Sequence, residues 1–317
     1  MANAFVKPEV VRNTSLGLLE RSVVVPRLVW RDGVGDFAGA KDDTISIRLP
    51  AYAKANTRVL RSGSTRTKSA LQQRKVDVTL DTDIYLDVPV TDEQMELDIQ
   101  NFGAEIIAPM MSATARTIEE RVVAEMQGAT YAHDLETDYA DLKGMFAEAR
   151  RLMNQANVPM EGRVALIGSN VDAEMIQLDN LVKVNESGTA STLREATIGR
   201  VYGFTVVTSP LLNPDEVVFF HPTAFPLVTR APKVPSGAPW GSSGSFAGFA
   251  TRVVRVLDPN EVEDRVITDS WIGTGITTDF GTLDAVTGVF EPAEDLADVA
   301  ASALFVRAVH FDAPVIP

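Results

Sequence analysis

The sequence contains no cysteine and only three histidines in 317 residues, which removes much of the chemistry from which a reactive site is built. Without cysteine there is no disulfide framework, no thiol nucleophile and no thiolate metal site. His133, His221 and His310 are scattered, and none stands in an HExxH or similar metal-ligand spacing. His221 reads instead as the end of a strand. No apolar run approaches the length that spans a bilayer, and Met1 to Ser15 lacks the apolar centre of a secretion signal. These absences predict a chain made and kept in the cytosol.

Two further absences are local. From Thr44 to Val76 there are eight cations (Arg48, Lys54, Arg58, Arg61, Arg66, Lys68, Arg74, Lys75) and no acid. From Val76 to Ala115 there are nine acids (Asp77, Asp81, Asp83, Asp87, Asp92, Glu93, Glu96, Asp98, Glu105) and no base. A like-charged block repels itself, so each block is best stabilised against the opposite kind. The partner block can come from another copy of the chain. Setting the basic block's eight charges aside from the net −14 leaves −22 on the remainder, which argues against nucleic-acid or anionic-membrane binding by the bulk surface.

Motifs that would signal catalysis are missing as well. There is no G-x-S-x-G elbow and no Walker A loop. Gly33, Gly35 and Gly39 miss the dinucleotide fingerprint by one residue and precede a strand where the mechanism needs a helix. Trp240-Gly241-Ser242-Ser243-Gly244-Ser245 reads as a mobile loop, because no phosphate-binding Lys lies beside an anion-holding alternative. Asp77, Asp81, Asp83 and Asp87 share a face of a regular strand; they read as a solvated face rather than a cation site, since no calcium-type loop accompanies them. No metal and no cofactor is expected, and the chain reads as a non-enzyme.

What is present suffices for a sizeable core, the composition being 45% hydrophobic. Pro8 at a first helical position and Val10, Val11, Leu18 and Leu19 predict a helix over Pro8 to Arg21. Ile45, Ile47 and Leu49 alternate in a strand over Thr44 to Leu49. The polar segment Lys54 to Lys75 cannot bury enough surface to order itself alone. Val76 to Val90 alternates back as the returning strand, so that residues 44–90 form a long projecting hairpin.

Thr91 to Gln94 makes a capping box, and the acids of the first turn suit the positive end of a helix dipole. The helical spacing runs to Gln127, with a kink at Pro109. Such a helix is about 54 Å long, against a radius of gyration of about 20 Å for a compact chain of this size, and is expected to be a spine. Beyond it come a helix after Asp138, the turn Asn157 to Gly162, and strands at Arg163 to Ile167, Phe204 to Thr208 and Glu216 to Phe220. A short helix lies near Val171 to Leu178. A Pro-, Gly- and Ser-rich loop spans Pro232 to Gly248. Strands Arg252 to Leu257 and Val262 to Ile267 flank the turn Asp258-Pro259-Asn260.

This order of N-terminal arm, hairpin, capped helix, α/β domain and acidic hairpin resembles the major capsid proteins of tailed double-stranded DNA bacteriophages, built on the Hong Kong 97 fold. The strings Thr197 to Phe204, His221-Pro222-Thr223-Ala224-Phe225, Pro109 to Ala115 and Ile118 to Val122 are similar to those of one group of these coat proteins. The resemblance implies an α+β fold. It divides into an N-terminal arm (1–43), an extended loop (44–90), the spine helix of a peripheral domain (91–137), an axial domain (138–248), and return strands with a C-terminal tail (249–317). It implies a structural protein that self-assembles through pentamers and hexamers into an icosahedral shell around the phage genome, without sequence-specific DNA binding. The virion capsid is then its location, and the host bacterial cytoplasm its place of assembly.

The implied partners are further copies, a separate scaffolding protein and a portal, with a decoration protein left open and no membrane. Separate scaffolding follows because no long helical segment precedes the arm. The expected subunit interface sets Arg58, Arg61, Arg66 and Lys68 against Asp92, Glu93 and Glu96 of a neighbour. Some relatives cross-link a loop Lys to a neighbour's Asn; Lys54 and Lys68 occupy the matching arm, yet no apolar setting lowers their pKa, so a shell without covalent links is expected. An encapsulin-like compartment on the same fold, a small-oligomer binding module or other virion component, and a carboxylate-based hydrolase are the alternatives.

Overall fold

The computed structural model describes residues 8–31, 43–49, 55–61, 65, 74–91, 102–137, 141–177, 199–259, 263–284, 289–292 and 303–312. In chain order the first elements are α1 (Pro8–Ser22), β1 (Thr44–Leu49), β2 (Arg74–Thr79), β3 (Thr82–Val90), a π-helical turn (Gly103–Ile107) running into α2 (Ala108–Gln127), β4 (Asp134–Glu136), α3 (Leu142–Gln155), β5 (Val164–Ile167) and α4 (Ser169–Gln177). Strands then dominate: β6 (Arg200–Val201), β7 (Phe204–Thr208), β8 (Glu216–Phe220), β9 (Leu227–Arg230), β10 (Trp240–Phe246), β11 (Phe249–Asp258), β12 (Glu263–Thr274), β13 (Asp279–Leu283), β14 (Phe290–Pro292), β15 (Ala303–Leu304) and β16 (Ala308–Asp312). The class is α+β, with mostly antiparallel pairing and parallel pairs at β5–β7 and β16–β4.

The chain divides into two compact units, the first from residues 1–45, 78–128 and 225–275 and the second from 46–77, 129–224 and 276–317. This differs from the expected boundaries. Residues 225–248 supply β9 and β10 to the first unit's sheet rather than to an axial domain, because their backbones pair with β12 and β11. Residues 276–317 group with the second unit, where β16 pairs with β8 and β4.

In the first unit, β10, β11, β12 and β3 form an antiparallel sheet that β9 extends. Its inward face, including Phe249, Val253, Val266 and Ile272, is buried. α1 buries Val11, Ser15, Leu16 and Leu19 at positions i, i+4, i+5 and i+8 of one stripe. α2 buries Met110, Met111, Ala115, Ile118, Val122 and Met126 in the same way. Glu119 on α2 accepts the backbone N–H groups of Val24 (2.5 Å) and Val25 (2.9 Å), fixing the turn after α1.

The helix onset expected at Thr91 falls largely outside the described residues. At Pro109 the structure shows a π turn just upstream, in which the Ala108 N–H bonds to the Gly103 carbonyl. Proline has no N–H to give the carbonyl four residues back, and the extra residue of a wider, under-wound π turn absorbs that mismatch.

Two other expectations change. The returning strand is two strands, broken where the Leu80 N–H turns to the Asp43 carbonyl (2.8 Å) and the Asp81 N–H to that of Ile272 (3.2 Å). The Gly- and Ser-rich stretch at 240–245 is not a loop but β10, paired with β11 from Trp240↔Arg255 to Phe246↔Phe249. Its small residues serve close approach. A Cβ at Gly244 would sit 2.9 Å from the Arg12 side chain of α1, and one at Gly241 3.0 Å from Val234.

The second unit is a six-stranded sheet in the order β4-β16-β8-β5-β7-β6. α3, capped by the Asp141 carboxylate accepting the Gly144 N–H at 3.0 Å, presents Met145, Phe146, Ala149 and Leu152 to it. The core is aromatic: Phe219 contacts Phe146 and Phe204 at 4.9 Å and Phe311 at 5.7 Å between ring centroids, edge to face in each case.

Candidate subunit interface

β1 and β2 pair as a two-stranded ribbon. Ile45 and Val78 are buried at its base, whereas Ser46, Arg48, Lys75 and Asp77 farther out are exposed. Hydrogen bonds from Ser46 and then Lys75 hold the Asp77 carboxyl below its ordinary pKa. A ribbon of two strands is marginal by itself and gains from a surface to lie on. In the loop that the ribbon carries, Arg58, Val59, Leu60 and Arg61 are all exposed, Val59 to 76% and Leu60 to 84%. Arg61 takes a positive φ of 64°, which ends the segment in a turn. Of the seven residues expected at the interface, the structure places Arg58 and Arg61 here. Arg66, Lys68, Asp92, Glu93 and Glu96 lie outside the described residues.

The acidic strand departs from expectation. Its acids do not wait for a neighbour's cations, because several are partnered within the chain. Asp81 accepts from Arg121 of α2 at 2.8 Å. Asp87 accepts both Nε and Nη2 of Arg265, which pairs also with Asp258 at 3.2 Å. Asp77 pairs with Lys75 at 2.9 Å. Sequence distance hides this: β3 lies beside β12, and Asp87 meets a cation 178 residues away.

Sequence reading also missed an aromatic feature on the outward side of this sheet. Tyr85 on β3 is 67% exposed and Trp271 on β12 is 38% exposed. In the register Trp271 faces Asp83 and Asp269 faces Tyr85, so the two rings are diagonal neighbours. Beside them a cavity of about 310 Å³ is lined by Asp43, Asp81, Asp83, Arg230 and Trp271. Partial desolvation raises the Asp83 pKa, the charge of Asp269 adds to this, and a hydrogen bond from Trp271 works against it. The signal for this patch was Tyr85 standing at an outward position of an alternating strand.

Two of the histidines, His221 and His310, hold neighbouring segments together. His221 directly follows β8, as the sequence suggested; its Nδ1 lies 2.9 Å from the Thr223 hydroxyl and accepts the Thr223 N–H at 3.3 Å. Burial lowers its pKa, helped by the charges of Arg307 and Arg163. His310 on β16 bridges its neighbouring strands, with Nδ1 2.6 Å from Asp134 of β4 and Nε2 2.9 Å from the buried Glu216 of β8. Tyr131 stacks on its ring at 5.2 Å. Burial pulls the His310 pKa down, but the hydrogen bonds and charges of Glu216 and Asp134 outweigh it, and the net direction is up. Burial raises the Tyr131 pKa, and both carboxylates raise it further. Among the described residues no group of three or more His, Asp or Glu is placed to hold a metal ion. No described helix is long and apolar enough to cross a membrane.

Solved capsids share this architecture. A chain of Mycobacterium phage Che8 superposes with a TM-score of 0.62 at 19% identity, covering 91% of this chain and 90% of that one. The capsid structure of cyanophage P-SCSP1u gives 0.61 at 12% identity, over 99% of this chain and 90% of that one. The mature capsid of bacteriophage PhiM1 gives 0.53 at 13% identity, over 87% and 84%. The fold class is therefore the α+β, Hong Kong 97-type capsid fold. No curated protein matches the sequence. Residues 75–293, well over half of the chain, match the family model described as phage capsid protein, and the chain belongs to that family. It is a structural protein of the capsid shell.

Proposed function

We propose that this chain closes an icosahedral shell around a double-stranded DNA genome, and that the loop carried by β1 and β2 is its clasp on the neighbouring copy. The carrying observation is the Arg58-Val59-Leu60-Arg61 segment, which exposes two aliphatic side chains between two guanidinium groups. Such a knob is poorly solvated at its centre and well solvated at its edges, the composition of an interface anchor with a polar rim. Because Asp77, Asp81 and Asp87 are engaged within the chain, the contact falls to the next acids in the sequence, Asp92, Glu93 and Glu96, with Arg66 and Lys68 completing the basic side. Each exposed pair contributes only about 0–1 kcal/mol, and repetition around pentamers and hexamers makes the sum cooperative.

In this reading the first unit is the peripheral domain and the second the axial one. A scaffolding protein, a portal and a decoration protein act from outside the chain, and assembly takes place in the cytoplasm of the bacterial host without cross-links. Reversing Arg61 and Arg66 to Glu tests the clasp. The variant should remain a folded subunit by circular dichroism and yield no closed particles by electron microscopy; shells of normal yield would remove the proposal. Detergent-boiled particles should run as one band at monomer mass.

A further inference from the structure

Three arginines of the second unit converge on one recess that no acid lines among the described residues. Arg150 comes from α3, Arg163 directly precedes β5, and Arg200 opens β6. With Met160, Tyr202 and Gly203 they line a cavity of about 150 Å³. Arg163 is 3% exposed, and its Nε and Nη2 donate to the carbonyls of Pro159 (2.8 Å) and Val158 (2.7 Å). Arg150 Nη1 donates to the Tyr202 carbonyl at 3.1 Å, and Arg200 reaches the Gly203 carbonyl at 3.4 Å. These contacts are all to neutral oxygens. Among the described residues no carboxylate pairs with any of the three, and none lines the recess.

That arrangement is electrostatically incomplete. A guanidinium stays protonated in proteins and offers five N–H donors in a planar fork. Arg163 uses two of its donors, Arg150 one and Arg200 two, so each of the three retains donor capacity. Burial and the like charge of Arg150 both push the Arg163 pKa down, the sign of a cation lacking a counter-charge. The rim is also built at a cost. Tyr202 and Gly203 form the two-residue turn between the paired Val201 and Phe204, with φ of 47° and 94°. An aromatic side chain is strained in that left-handed region, and strain of this kind collects at functional positions. The turn leaves Tyr202 47% exposed, and Met160 across the recess is 61% exposed.

We propose that the Arg150–Arg163–Arg200 recess is an oxyanion site that receives the carboxylate of an Asp or Glu side chain from a second copy of this chain. The proposal rests on the shell-subunit reading for the source of that carboxylate, though not for the anion chemistry of the recess. Paired guanidinium forks match a carboxylate bidentately. Tyr, Met and Arg are the residues enriched in protein interfaces. A strand of nucleic acid is instead followed by positive charge spread along a track, whereas here it is gathered into one recess on a chain of net charge −14. With 43 acids to 29 bases, each copy brings acidic side chains in excess.

The test uses dissociated full-length subunits and an Arg150→Gln/Arg200→Gln variant that leaves the buried Arg163 in place. Sodium acetate at constant ionic strength should raise the melting temperature of the wild type saturably and leave the variant unmoved. The variant should also need at least a tenfold higher subunit concentration to assemble, with Arg150→Lys/Arg200→Lys falling between. No acetate response in the wild type overturns the site. An acetate response with assembly unchanged in the variant overturns the second copy as its source, as does a loss confined to binding of a short DNA duplex. Wild-type subunits that respond to acetate but never form shells would instead overturn the shell reading and leave the anion site standing.

Discussion

The two sheets solve the same problem with opposite means. In the second unit, strands are locked by an aromatic core in which Phe219 touches Phe146, Phe204 and Phe311. In the first unit the sheet carries a ladder of ion pairs: Arg252 with Asp269, Arg255 with Asp264, and Arg265 with Asp87 and Asp258. Aromatic packing scales with buried area and is nearly indifferent to salt, while paired charges fix which strands may be neighbours and respond to ionic strength and to the loss of either partner. One sheet is held mainly by burial, the other has its register set in part by charge.

The comparison can be broken at four points. Phe219→Ala should have the largest effect, about 3–5 kcal/mol, read as a fall in the urea midpoint of the second unit's transition; a loss below about 1 kcal/mol would show that the cluster is not the keystone. Next is Arg252→Ala. It leaves the buried Asp269, 4% exposed, without its cation, and should cost about 3 kcal/mol, whereas replacing both partners by apolar residues of similar volume should recover much of it. Equal costs for the single and double variants would sink the claim that charge sets register in that sheet.

The third point concerns pH. Because the folded pKa of His310 is raised, its bridge between Asp134 and Glu216 contributes fully below the unfolded value of about 6.5 and is lost as pH rises through the folded value. Wild-type protein should therefore lose stability relative to His310→Gln across that rise, with Tyr131, Asp134 and Glu216 unchanged in both. Parallel melting curves against pH would dismiss the bridge. The smallest effect belongs to Arg265→Gln at the exposed end of the ladder, where any shift at low salt should vanish at about 0.5 M salt.

Local order was legible in the sequence where local physics decides it. β1, β7 and β8 begin and end at the residues where alternation and turn signals put them, and α1 ends one residue beyond its expected stop. The capsid architecture could be read from the order of elements and its resemblance to a known family. What could not be read is pairing at a distance. β10 was hidden because Gly and Ser look mobile until a helix residue such as Arg12 lies across them. Asp81 and Asp87 looked free because their cations stand on α2 and β12. Arg150, Arg163 and Arg200 carry no shared spacing, and only the fold gathers them.

The connectivity of the two units has a consequence for how the protein is made. The chain passes between them five times, after residues 45, 77, 128, 224 and 275. In the second unit, β16 lies between β4 and β8, both synthesised long before it. A nascent chain emerging from the ribosome thus exposes one edge of β8 and the adjoining apolar surface until residues 308–312 arrive, well after the rest of that sheet is available. Folding in domain order during translation, the usual route for larger chains, is closed to it. The hazard falls in that interval, when unpaired edges of many nascent copies stand close together on a busy polysome. A capsid subunit needed in large numbers should then be limited in yield less by how stable it is once folded than by how quickly its late strand finds its place.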